Sequence, residues 1–203
     1  MHTVEQIARE IVSREGGLVN DPDDLGGLTN WGVTLGTIIS LGFDKNGDGA
    51  VNGKDVIALS KQDAVDIFVT HYFHKPRIGK LPRSIQSSVF DMYVNSGSNA
   101  IKILQRLLNN MGASLKVDGA LGPKTESVAF QADRSGGVHF SDAYGIARRN
   151  YYFRIADKRP KNRKYVVRRN GGKAGWIKRA EEFISPKYHL SKAEFNQRIA
   201  GWS

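Results

Sequence analysis

The sequence predicts a mainly α protein with one small β-hairpin, on three observations. Apolar residues recur at helical spacing along almost the whole chain, starting with Val4, Ile7, Ala8, Ile11 and Val12 at i, i+3, i+4, i+7 and i+8. Strand-like patterns are short and confined to the region of residues 17–33. An apolar fraction of 40% in 203 residues supplies a core for one domain, or for one domain with a small appended module.

Each element has its own signal. Thr3 and Gln6 form a capping box ahead of a helix over 3–14. Gly16-Gly17 stops that helix and leaves Glu15 in its last turn. From there to Gly32 the density of glycine, aspartate and proline predicts a turn or hairpin. Residues 34–41 predict a short helix. Ser60-Lys61-Gln62-Asp63 predicts an N-cap, with Ala64, Ile67, Phe68, His71 and Tyr72 following at helical spacing. Lys75-Pro76 and Leu81-Pro82 bracket a loop, and a mostly buried helix follows over 83–95. After the Ser96-Gly97-Ser98 break, Ile101, Leu104, Leu107 and Leu108 mark a helix ending near Asn110. Pro123 suits the first turn of the next one. Ser135-Gly136-Gly137 predicts a loop, residues 141–157 a helix, Asn170-Gly171-Gly172 a turn, and Trp176 to Ile184 a further helix. Ser191 and Glu194 cap a short last one.

Composition narrows the chemistry. There is no cysteine, so disulfide frameworks and thiol catalysis are out. The histidines carry no H-E-x-x-H or H-x-H spacing, which argues against a zinc peptidase or amidase. No G-x-S-x-G or Walker sequence occurs. The charged N-terminus lacks a signal-peptide core, and no apolar run is long enough to span a bilayer. A protein made in the cytoplasm and acting outside it would therefore need to be released. The net charge is +10, and between Arg148 and Arg179 there are 13 Lys and Arg against one acid, Asp157. Such a surface expects polyanionic partners. Tyr151, Tyr152, Phe153, Tyr165 and Trp176 are interleaved, but their helical spacing fits core packing, and no signature of sequence-specific nucleic-acid reading accompanies them.

The stretch Glu15 to Gly32 offers the clearest site. Glycoside hydrolysis needs a protonated carboxyl for the leaving oxygen and a second carboxylate to activate water or to attack. Glu15 ends a helix, where the partial negative charge of the terminal carbonyls disfavours the ionised form. Asp24, in the polar turn, suits the second role, and Thr29 suits holding the water. An ordinary solvated surface turn has the same composition.

The run Glu15-Gly16-Gly17, Asn20-Asp21-Pro22, Asp24, Gly26-Gly27, Thr29-Asn30 and Gly32 closely resembles the N-terminal signature of the glycoside hydrolase family 108 muramidases found among phage endolysins. The resemblance implies that Glu15 is the catalytic acid and that the fold is lysozyme-like. The Glu15–Asp24 spacing is also similar to phage lysozymes with a Glu/Asp/Thr trio, although Thr29 stands one residue closer to the aspartate. Val89 to Gly97 resembles the family's F-D-x-x-V-N-S-G helix. There Asp91 and Asn95, at i and i+4, either line the sugar cleft or bridge neighbouring helices. Val117 to Thr125 is similar to the V-D-G-x-x-G-P-x-T element of peptidoglycan-binding modules. The organisation these imply is a catalytic region over 1–96, a helical peptidoglycan-binding-like region over 97–185 in the same compact unit, and a tail over 186–203.

Asp44 to Asp55 resembles a twelve-residue EF-hand loop. Asp44, Asn46 and Asp48 fill positions 1, 3 and 5, Gly49 permits the sharp turn, Ala50 offers its carbonyl, and Asn52 and Asp55 complete the shell. Aspartate replaces the usual glutamate at position 12, which shortens its reach. The resemblance implies Ca2+, as a structural or regulatory ion. Together these readings predict a monomeric muramidase that cleaves the β-1,4 bond between N-acetylmuramic acid and N-acetylglucosamine and acts on the wall at host lysis. Peptidoglycan is its partner, with anionic envelope polymers or lipid as further ones and no specific nucleic acid. Two other classes stay open: a lytic transglycosylase using Glu15 alone, and a non-catalytic calcium-dependent wall- or nucleic-acid-binding module.

Overall fold

A computed structural model describes residues 3–19 and 27–202. They fall into two units, one ending at Lys75 and the other beginning at Pro76.

The first unit is built on a helix pair. Helix α1 (Val4–Glu15) carries the expected capping box: the Thr3 side chain accepts from Gln6 N, and the Gln6 side chain accepts from Thr3 N at 2.8 Å. Its apolar stripe of Ile7, Ala8, Ile11 and Val12 is buried and packs on α4 (Lys61–Val69). Between them run β1 (Thr29–Asn30), β2 (Val33–Thr34), α2 (Leu35–Leu41) and α3 (Gly53–Ala58). A π-helical turn, Thr70–His74, prolongs α4. The two strands pair antiparallel around a two-residue turn in which Trp31 and Gly32 both have positive φ, 54° and 78°. That is the geometry a tight hairpin needs, and it costs a bulky residue such as Trp31 strain that glycine would not bear.

The second unit is organised on α8 (Val138–Lys158), 21 residues long. Helices α5 (Arg83–Ser96), α6 (Asn99–Asn110), α7 (Pro123–Gly136) and α9 (Gly175–Glu181) all pack against it. A short α10 (Lys192–Ile199) follows. Phe140, Tyr144, Tyr152 and Phe153 of α8 are buried, and so are its charged Asp142, Arg148 and Arg149. A helix buried on so much of its circumference needs internal partners for its charges. Gly145 lets the chain after α9 come close: a Cβ there would lie 2.6 Å from Ile184 Cγ1 and 3.0 Å from the Phe183 carbonyl.

One boundary differs from the sequence reading. The expected loop at Ser135–Gly137 shrinks to a corner at Gly137 alone (φ 50°), whose N–H bonds the Asp133 carbonyl while α8 starts at the next residue. Helix α3 begins inside the EF-hand-like segment, at its tenth position, where Asn52 caps it. Helix α5 packs on α6 and α8 and lies in the second unit.

Candidate active site

Glu15 is the last residue of α1. Its backbone is described and its side chain is not; Asp24 lies outside the described residues. Gly16 takes φ 78°, turning the chain out of the helix. Three residues later Val19 and Thr29 form an isolated antiparallel bridge, with N–H···O distances of 2.8 and 2.9 Å. The bridge joins the two described ends of the acidic stretch and holds the hairpin to the segment that leaves Glu15. Thr29 is half-buried, and its hydroxyl donates to the Gly27 carbonyl at 3.2 Å.

Asn30, which sequence reasoning treated only as part of the signature, is the residue that fixes this hairpin. It is 5% exposed, and its side-chain N–H groups donate to the Val56 carbonyl at 3.0 Å and the Leu59 carbonyl at 3.2 Å. These carbonyls lie at the end of α3, where that of Val56 has only a long bond from Leu59 N, at 3.3 Å. Truncation at Asn30→Ala is expected to cost about 1–3 kcal/mol, because the buried carbonyls of Val56 and Leu59 both lose the donor that ties the hairpin to them. A melting curve would read that as a lower midpoint. Hydrolysis should fall with it at temperatures where the protein is still folded, because Thr29 is the adjoining residue.

The loop from Asp44 to Asp55 is closed on its own backbone. Asp44 accepts from Gly47 N at 2.7 Å and Gly49 N at 2.9 Å, Asn46 from Asp48 N at 2.9 Å, and Asp48 from Ala50 N at 3.0 Å. Asp55 is fully buried and accepts from Lys45, Asn46 and Asn52 N–H groups. The bond from Asn52 is the largest cause of its lowered pKa; burial opposes it, and the Asn46 and Lys45 bonds add to it. Asn52 donates to the Ala50 carbonyl at 2.9 Å and caps Lys54 N. Gly47 and Gly49 sit in the left-handed region, as such a turn requires. The donor set is all oxygen and suits a hard cation. Among the described residues, however, no three acids or histidines converge to metal-binding geometry.

Of the two roles the sequence left open for Asp91, the structure gives the bridging one. Asp91 is 3% exposed. Its carboxylate accepts from the Arg148 guanidinium on α8 and from Arg179 Nε on α9 at 2.7 and 2.9 Å. The side chain therefore points into the second unit's core. Burial would raise its pKa, but the charges and hydrogen bonds of Arg148 and Arg179 outweigh that and hold it below the usual carboxylate range. Asn95 is exposed, and its carbonyl oxygen accepts from the Tyr152 hydroxyl at 3.1 Å.

The Val117–Thr125 element is likewise held from within. The buried Gln105 donates to Asp118 at 2.9 Å and to the Ala120 carbonyl at 3.1 Å, and accepts from Gly119 N at 2.9 Å. Gly119 has φ 84°, and a Cβ there would meet the Ser98 carbonyl at 3.0 Å. Gly122 then precedes Pro123 at the start of α7.

Residues 8–97 match the family model glycosyl hydrolase 108, and residues 99–181 match the model named predicted peptidoglycan domain. No curated protein matches the chain. Among solved structures, that of Brucella abortus SagA is similar, at 26% identity and a TM-score of 0.55, over 79% of this chain and 88% of SagA. The mainly α architecture with one small hairpin is that of a lysozyme-like fold.

Proposed function

We propose, for a chain that matches the glycosyl hydrolase 108 model over residues 8–97 and the predicted peptidoglycan domain over 99–181, that it is an N-acetylmuramidase. The first match supports a glycoside hydrolase, and the second supports peptidoglycan as its partner. The finer reading is cleavage of the β-1,4 bond between N-acetylmuramic acid and N-acetylglucosamine, in the setting of host lysis. Glu15 is the general acid, Asp24 the second carboxylate, and Thr29 the residue that orients water. One observation supports this most: Glu15 ends α1, and four residues on the Val19–Thr29 bridge brings the hairpin back beside its exit.

The test is the chemistry of the products. Purified peptidoglycan digested by the protein should yield fragments ending in reducing N-acetylmuramic acid, one water heavier than the anhydro form. Anhydro-muramic ends would instead establish a transglycosylase that needs no second carboxylate. Reducing N-acetylglucosamine ends would place the cut at the other glycosidic bond.

Calcium belongs to the same reading. Asp44, Asn46, Asp48, Asn52 and Asp55, with the Ala50 carbonyl, would hold it; it would stiffen the loop and take no part in bond cleavage. An ion would compete with the loop's N–H groups for the same oxygens, so the gain on binding is smaller than the donor count suggests. At a hundredfold excess over Kd the stabilisation is about 2.7 kcal/mol, which should raise the melting temperature by roughly 5–10 °C. Titration calorimetry of metal-free protein with CaCl2, together with melting in chelator, measures both. No heat and an unmoved midpoint would remove calcium from the account.

A further inference from the structure

The second unit holds a basic groove of about 960 Å³ between α6 and α8. On α6 it is lined by Arg106 and Asn110, and on α8 by a stripe that includes Asn150, Tyr151, Arg154 and Lys158, with Arg159 just beyond the helix end. Arg106, Arg154, Lys158 and Arg159 are all exposed. Among the described residues none of them has an ion-pair partner, and no carboxylate lines the groove. The two acids of α8 are engaged elsewhere, Asp142 by Ser185 N and Oγ and Asp157 by the Arg198 guanidinium and by Trp202 Nε1 at 2.7 Å. Four like charges held along one groove repel each other, so an anionic occupant relieves a cost the free protein carries.

Resting on the assignment of peptidoglycan as the partner, we infer that this groove is a carboxylate subsite for the wall polymer. The guanidinium groups of Arg106 and Arg154, with Lys158 and Arg159, take the carboxylates of the stem peptide. The amides of Asn110 and Asn150 take the acetamido and hydroxyl groups of the glycan. Arginine forks match carboxylates bidentately, and side-chain amides both donate and accept, as an acetamide requires. Tyr151, half-buried, offers an aromatic edge with its hydroxyl in the field of Arg106, Arg154 and Arg159. The groove also lies inside the residues matched by the peptidoglycan domain. Single-stranded nucleic acid fits less well, because it needs a row of stacking platforms and this groove has one aromatic residue.

The test is co-sedimentation of the full-length chain with insoluble peptidoglycan on ice, after phosphate-bearing polymers have been stripped from it. Arg106→Glu combined with Arg154→Glu should weaken retention about tenfold. Amidating the stem-peptide carboxylates should weaken the wild type by a similar factor and leave the double variant little changed. The milder Arg154→Ala with Lys158→Ala, also at exposed positions, should show a smaller loss with an unmoved melting temperature. Equal retention of wild type and charge variant, or of amidated and native peptidoglycan, overturns the inference. So does retention that requires the phosphate polymers, or displacement by a stoichiometric single-stranded oligonucleotide. Hydrolysis is scored separately: wild-type clearing of peptidoglycan with no charge effect on binding leaves the muramidase reading standing and removes this one. Charge-dependent binding without any clearing does the reverse.

Discussion

Glu15→Gln is expected to abolish the clearing of a peptidoglycan suspension while leaving the melting curve in place. The substitution keeps the size and polarity of the side chain and removes only the proton that a leaving sugar oxygen must receive. General acid catalysis is typically worth 10²–10⁴-fold in rate, so a residual rate of about one per cent or less is the result to look for. Retention of a tenth of the wild-type rate or more would take the acid role from Glu15. Placement explains why stability should hold: the residue ends α1, after the stripe that packs on α4, and its carboxyl is not needed for the capping box at the other end. Asp24→Asn supplies the second half of the argument. A hydrolase that needs a paired carboxylate loses activity to a similar extent; an enzyme that forms an anhydro product keeps much of its rate. Measuring both variants on one substrate preparation assigns the two carboxyls independently of the calcium loop and of the basic groove.

The helices were legible because their information is local. The Thr3–Gln6 box, the apolar stripe of α1, the Ser60 cap and the Pro123 start each depend on residues a turn apart, and each formed as read. What the sequence could not show was which side chains close long loops. Asn30 looks like any hairpin asparagine until the end of α3, some 26 to 29 residues on, is folded against it. Gly137 looked like the centre of a loop because two glycines and a serine stand together. A single positive φ was enough to turn the chain. Asp91 is the sharpest case. Its spacing to Asn95 puts both on one helix turn, but whether that face meets solvent or arginine depends on residues 57 and 88 positions away. Charge balance offered one clue: a basic segment with a single acid of its own needs carboxylates from elsewhere, and Asp91 is one of them.

Asp91→Asn is therefore expected to destabilise the second unit by about 3–5 kcal/mol, because it leaves two guanidinium groups facing a neutral amide in a site closed to water. For a unit of this size that is a fall of roughly 10–20 °C in melting temperature. Arg148 bears most of it: the side chain is fully buried, whereas Arg179 keeps some exposure through which it can be solvated. One of Arg148's own N–H groups already lacks a protein partner. Replacing Asp91 and Arg148 together with leucine and methionine should then recover much of the loss, since a matched apolar pair needs no buried charge balance. The pH dependence has a fixed sign. Asp91 is more acidic folded than unfolded, so its stabilisation is complete above the unfolded carboxyl pKa of about 3.9 and is lost as pH falls through the lower folded value. The Asp91→Asn protein should consequently melt with a flatter acid limb than the wild type. Below the transition, at a temperature where the variant is folded, its KM for peptidoglycan should be unchanged. A KM raised tenfold with the melting temperature intact would mean that Asp91 meets the glycan after all, and that its two arginines release it to do so.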